Sequence, residues 1–178
     1  GEDGVPGGLT VEDMTEIAPL LVEAGADALH VSAGVYGSSR ATVAPMYEEP
    51  GCFVSLAERI RSAVTVPVIA AGRIDTPGLA EEILRKGQAD LIAMGRALLA
   101  DPELPRKAAS GRAREIIPCV ACNQGCIDRI NASMMTGRTE GITCLVNPRV
   151  GRERETVLAP AKKKERVLVV GGGPGGLM

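Results

Sequence analysis

Apolar and polar positions along this chain follow two periods in turn. Between Val11 and Ala24 the apolar residues Met14, Ile17, Leu20 and Leu21 recur at helical spacing, and Gly25 follows as a stop signal. Thr10, with Asp13 three residues on, predicts an N-cap close to a capping box, although Glu or Gln is usual at the second position. Residues 26–32 (ADALHVS) then read as a short strand. The polar, glycine-bearing loop 33–51 that follows is longer than ordinary connections and is a candidate functional loop. The pattern then recurs: a helix over Phe53–Ala63, a buried strand over 66–71, a helix over Pro77–Lys86 closed by Gly87, and a strand over 89–94. LVEAGADALHVSAG at 21–34 and ILRKGQADLIAMGR at 83–96 share one order of helix, glycine, Ala-Asp, apolar strand and glycine. Gly25 and Gly87 stand 62 residues apart with one further strand between them, so a strand–helix unit takes about 30 residues.

Parallel strands alternating with helices predict an α/β fold. Short regular units with glycine at the strands' carboxyl ends favour a (β/α)8 TIM barrel over a doubly wound sheet. Three strands do not close a barrel, so five more are expected before Gly1, and a short helix is predicted over Leu104–Gly111. The expected organisation is the C-terminal part of the barrel over 1–112, a cysteine-rich segment over 113–150 and a charged linker over 151–165 containing Lys162-Lys163-Lys164. The start of a Rossmann unit is expected over 166–178, with a strand at Arg166–Val170 leading into glycines. A loop at the start and a glycine motif at the finish mark the chain as an internal part of a longer polypeptide.

Composition narrows the function classes. Hydrophobic residues make up 45%, enough for a packed core, and the formal net charge of -2 gives no electrostatic reason to invoke nucleic acid or an anionic membrane. An aromatic content of 2% is too sparse for a base-stacking surface. No apolar run reaches the roughly 20 residues needed to span a bilayer. The absence of a signal pattern and the use of cysteine point to a reducing compartment, most simply the cytoplasm.

The candidate chemistry centres on Cys119, Cys122, Cys126 and Cys144, spaced C-x2-C-x3-C-x17-C. A short turn brings three thiolates to one side of a metal and a loop returns the fourth. Three neighbouring thiolates and one remote one suit a cubane iron–sulfur cluster better than a structural zinc site, which more often pairs two C-x2-C knuckles. Zinc is the alternative. Gly72-Arg73 and Gly95-Arg96 fall at the ends of adjacent strands, where parallel α/β folds bind ligands and where glycine and arginine suit a phosphate group. Gly171-x-Gly173-x-x-Gly176 fits a dinucleotide fingerprint, preceded by a strand as that motif requires. His30, the single histidine, reads as a satisfied interior or barrel-wall residue, and Cys52 as a buried thiol. Tyr36 and Arg40 lie in the long loop past a strand's end. Tyr36 is a candidate proton donor, with ordinary packing as the alternative, and Arg40 a candidate substrate contact.

The segments HVSAGVYGSS, VPVIAAGRI, ADLIAMGRALLADPEL, CVACNQGCIDRI, CLVNPRVG and VLVVGGGPGG occur in that order. Together they resemble the multi-cofactor branch of the old yellow enzyme superfamily, the group of 2,4-dienoyl-CoA reductase, 2-enoate reductase and trimethylamine dehydrogenase. The resemblance implies an FMN-binding barrel, a 4Fe-4S cluster at its edge and a following FAD- and nucleotide-binding domain. It places Arg73 and Gly95-Arg96 at the FMN phosphate with Gly72 beside them, the four cysteines on the cluster, and Gly171, Gly173 and Gly176 at FAD. It further implies electron flow from NAD(P)H through FAD and the cluster to FMN, and reduction of an activated C=C bond in a small unsaturated acid or acyl-CoA. The amine-oxidising relatives run electrons outward, and a zinc-stapled phosphate-binding module is the non-redox alternative. The dienoyl-CoA reductases carry a histidine in the loop that here reads Tyr36-Gly37-Ser38-Ser39-Arg40, which turns the reading toward enoate-reductase-like members.

Overall fold

A computed structural model describes residues 5–35, 38, 42–139, 141–157, 159–163 and 166–173. Helix α1 (Val11–Glu23) begins at a true capping box. The Thr10 hydroxyl accepts from the Asp13 amide at 3.2 Å, and the Asp13 carboxylate accepts from the Thr10 amide at 2.8 Å. Asp therefore fills the place usually held by Glu. After α1 come β1 (Leu29–Val31), α2 (Val54–Arg61), β2 (Val68–Ala70), α3 (Pro77–Arg85) and β3 (Leu91–Ile92), all within the predicted spans and each shorter than predicted.

The sequence repeat is a structural repeat. Past α1, the Gly25 amide donates to Val22 O and the Ala26 amide to Leu21 O. Past α3, the Gly87 amide donates to Leu84 O and the Gln88 amide to Ile83 O. Both helices thus end in the same Schellman motif, with the glycines at φ +104 and +69. That turn sends the chain back along the helix into the next strand. The three strands pair in parallel in the order β1-β2-β3, with Val31 opposite Ala70 and Ala70 opposite Ile92. Asp90 pins the register between β2 and β3: its carboxylate accepts from the Val68 amide at 2.9 Å and from Arg61 Nε at 3.1 Å.

The strands' period of two divides the sheet into faces. Val68 and Ala70 point to the helices and pack with Ala18, Val54, Ala57, Ile60, Ile74, Ile83 and Ala89 in one core, against which Leu29, Val31 and Ile92 also lie. His30, Ile69 and Leu91 form the opposite row, across the register. His30 is exposed there, on the face of the sheet wall away from the helices and not in the interior, since no helix covers that face among the described residues.

Beyond β3 the chain departs from the simple pattern. Gly95-Arg96, expected to end a strand, are the first two residues of α4 (Gly95–Ala100). Helix α5 (Leu104–Ala109) and a 3-10 turn (Ala113–Glu115) follow, and α6 (Ile127–Thr136) occupies most of the excursion between the third and fourth cysteines. Residues 166–170 join no strand ladder among the described residues, and Val167, Leu168 and Val170 are each more than four-fifths exposed. With no neighbouring strand among the described residues, its apolar pattern builds no ladder.

Candidate functional site

A concavity of about 330 Å³ opens at the carboxyl ends of the three strands. Ser32 after β1, Gly72-Arg73 after β2 and Gly95-Arg96 after β3 line it together. The turn after β2 is built around two left-handed residues, Gly72 at φ +111 and Arg73 at φ +50. A Cβ on Gly72 would stand 2.4 Å from the Phe53 ring, so only glycine fits, and the Gly51 amide holds the Arg73 carbonyl at 3.0 Å. The Arg73 Nε is buried without a hydrogen-bond partner among the described residues. A buried donor left unmade is costly, and an anion in the cleft would satisfy it. Arginine, glycine and the opening turn of α4 supply the donor set a phosphate needs.

A second cavity adjoins the first and is lined by Cys119, Cys122, Cys126 and Cys144. All four thiols are free and half-buried. Arg96 and Cys119 line both cavities and form the wall between them. Burial pushes the Cys119 thiol up; the Ala121 amide and Arg96 pull against that, and Cys144 and Cys126 add to the rise. The turn depends on two non-glycine residues in the left-handed region, Ala121 at φ +51 and Asn123 at φ +62, and the Ala121 amide donates to Cys119 Sγ at 3.4 Å.

The fourth cysteine is returned by a backbone staple. The Thr143 amide donates to Gly125 O, at 2.6 Å, joining the residues just before Cys144 and Cys126. A Cβ on Gly125 would meet the Thr143 carbonyl oxygen at 2.6 Å, so the approach requires glycine. Among the described residues, no three His, Cys, Asp or Glu side chains converge closely enough to share one metal ion. A zinc ion would draw its sulfurs to about 3.8 Å apart. Four half-buried thiols lining one cavity supply the donor set that a cluster would need, one thiolate to each iron.

Several residues that build this site were not singled out by sequence reasoning. Asp101, almost fully buried, accepts from Lys107 Nζ at 2.6 Å and from the Ile117 amide at 2.9 Å, fixing the chain two residues before Cys119. Asn147 donates to Leu99 O at 2.8 Å and ties the far side of the cysteine loop to α4. Asn123 bridges to Arg96. An Asp-Pro pair closing a short apolar run, and the asparagine inside the cysteine turn, were the available signals.

The other candidates stand apart. Tyr36, Arg40 and Gly176 lie outside the described residues. Gly171 and Gly173 are exposed, and a Cβ on either would meet nothing within 4 Å. His30 lines the first cavity. Cys52 is half-buried, its thiol raised by burial and by Glu48 against the pull of Arg73 and Arg96.

Parallel β/α units, with an anion-suited cleft at their strand ends and a thiol-lined cavity beside it, define a class of cofactor-binding α/β protein. The sequence profile of the NADH:flavin oxidoreductase / NADH oxidase family matches residues 11–115, and the chain belongs to that family. It is 46% identical to an NADH oxidase of Thermoanaerobacter brockii, over 99% of this chain and 26% of that protein. It is 37% identical to a cinnamate reductase of Clostridium sporogenes, over 96% of this chain and 25% of that protein. The structure of a 2-naphthoyl-CoA reductase in complex with 2-naphthoyl-CoA superimposes with a TM-score of 0.84 at 36% identity, covering 97% of this chain and 26% of the other. The chain therefore spans about a quarter of the length of these relatives.

Proposed function

We propose that this chain is the FMN- and cluster-binding part of an NAD(P)H-dependent flavin oxidoreductase that reduces an electron-poor C=C bond in a small unsaturated acid or acyl thioester. The observation that carries the proposal is the shared wall. Arg96 and Cys119 face both the cleft with the phosphate-suited residues and the cavity with the four thiols. FMN and a 4Fe-4S cluster would bring hydride and one-electron chemistry to those two cavities. Arg73 and Arg96, with Gly72 and Gly95, hold the phosphate end of the flavin, and Cys119, Cys122, Cys126 and Cys144 hold the cluster. The names of the cinnamate and naphthoyl-CoA reductases support a conjugated carbonyl substrate. Tyr36 and Arg40 are proposed for proton delivery and substrate contact from the loop after β1. A dinucleotide role for Gly171, Gly173 and Gly176 rests on the motif alone.

The test is anaerobic purification of the intact protein, with analysis of flavin, iron and acid-labile sulfide. NAD(P)H-dependent turnover is then measured on unsaturated acids, acyl thioesters and amines. Bound FMN, iron with equivalent sulfide, and reduction of the unsaturated acids or thioesters are expected. Zinc in place of iron, or no flavin, overturns the cofactor reading, and turnover of amines alone overturns the substrate class.

A further inference from the structure

We propose that Asn123 is a positioning residue that couples the two cavities, so that filling the cysteine cage tightens binding of a phosphate-bearing flavin in the neighbouring cleft. The inference rests on the FMN and cluster reading above and adds a linkage to it. Asn123 sits next to Cys122 and uses both ends of its side-chain amide. Oδ1 accepts from Arg96 Nη1 at 2.6 Å, and Nδ2 donates to the Val43 carbonyl at 3.1 Å. The orientation of the amide is forced, because arginine only donates and a carbonyl only accepts. The Asn123 main-chain carbonyl accepts from the Asp128 amide at 3.0 Å, at the start of α6. One residue thus joins the opening of α4, the loop after β1 and the cysteine turn.

The backbone makes this link conditional. Asn123 is held at φ +62, a conformation that asparagine tolerates better than most residues but that still needs support from its surroundings. That support is the cysteine turn itself, which a cluster tied to its thiols would hold in this closed form. With the turn closed, the amide fixes the plane of the Arg96 guanidinium by one of its five N–H groups and leaves the others for the cleft. With the turn open, Arg96 loses its anchor, and binding an anion must first restrict a mobile side chain. The coupling is reciprocal, so the flavin protects the cluster by the same factor.

The experiment measures FMN and riboflavin affinity by flavin fluorescence on the intact protein, with the cluster loaded and after chelator stripping. In the native protein, stripping should weaken FMN about fivefold to tenfold, within the usual range of coupling between sites. Riboflavin, which has no phosphate, should change little. Asn123→Gly keeps the left-handed backbone and removes the amide. It should show the weakened FMN affinity even with iron and sulfide at native levels, and no further loss on stripping. Native iron and sulfide in Asn123→Gly show that its cysteine turn still assembles and guard against a folding defect in that variant. An unchanged FMN affinity on stripping, or native affinity and native cluster dependence in Asn123→Gly, overturns the inference while leaving the cofactor assignment intact. Failure of the native protein to take up either FMN or iron overturns both.

Discussion

Gly125 and Gly72 are both fixed by close approach, yet their neighbours differ in kind. At Gly125 the obstacle is the Thr143 main chain, which is also the hydrogen-bonding partner that brings Cys144 back. Backbone cannot rotate away, so Gly125→Ala should separate the two strands of the staple, at a cost of about 1–3 kcal/mol. Its signature should be a large fall in iron and sulfide content, with FMN affinity less affected. At Gly72 the obstacle is the Phe53 side chain, but φ +111 adds a strain that no movement of the ring relieves. Gly72→Ala should therefore lower the melting temperature and weaken FMN at least tenfold, while iron content stays near native. The two variants separate the cavities by chemistry: metal analysis reports on one and flavin titration on the other.

At the scale of elements, Asp101 decides how the cysteine segment leaves the β/α units. It follows α4, and its carboxylate accepts from the Lys107 ammonium of α5 and from the Glu103 and Ile117 amides. Burial works against the charge. The bonds from Lys107, Ile117 and Glu103 outweigh it and hold the carboxyl below its ordinary value. An Asp whose folded pKa is depressed stabilises the fold above its unfolded pKa of about 3.9, and that contribution fades as pH falls through the folded value. Asp101→Asn should cost about 2–3 kcal/mol at neutral pH, toward the lower end for breaking a buried pair, because Lys107 retains the Glu115 carbonyl. The difference from the native protein in thermal melts should be constant above about pH 5 and close below pH 4.

The same elements show what a sequence carries and what it does not. Gly25 and Gly87 announced matching helix ends because a Schellman turn is a local requirement. Gly72-Arg73 and Gly95-Arg96 converge on one cleft because strand ends in a parallel sheet share a side. The opening of α4 at Gly95 was hidden by its shortness: six residues carry no clear helical period. Asn123 holding Val43, 80 positions away, and Asp101 holding Ile117 were hidden for another reason. Such pairs are specified by tertiary approach and leave no spacing to read.

For the molecule as a whole, the sheet's two faces have different fates. One is filled by α1, α2 and α3. The other carries the row His30, Ile69 and Leu91, with Leu91 52% exposed. With β1 and β3 as sheet edges among the described residues and apolar side chains uncovered at 167–170, the 178-residue chain produced alone should self-associate. Sedimentation should find oligomers at micromolar concentration, reduced by Leu91→Lys; a monodisperse monomer would contradict this account of the open face.

The bond between Thr143 and Gly125 also makes the intervening excursion a side branch, closed at its root. Whatever happens at its tip is insulated from the thiols, and lengthening a closed loop costs only about 0.6 kcal/mol per doubling. Helix α6 ends at Gly137, at φ +66, in exposed surroundings suited to grafting. A short epitope or dye-binding tag spliced there should leave iron content and flavin affinity at native values, giving an optical handle about one helix away from the cysteine-lined cavity.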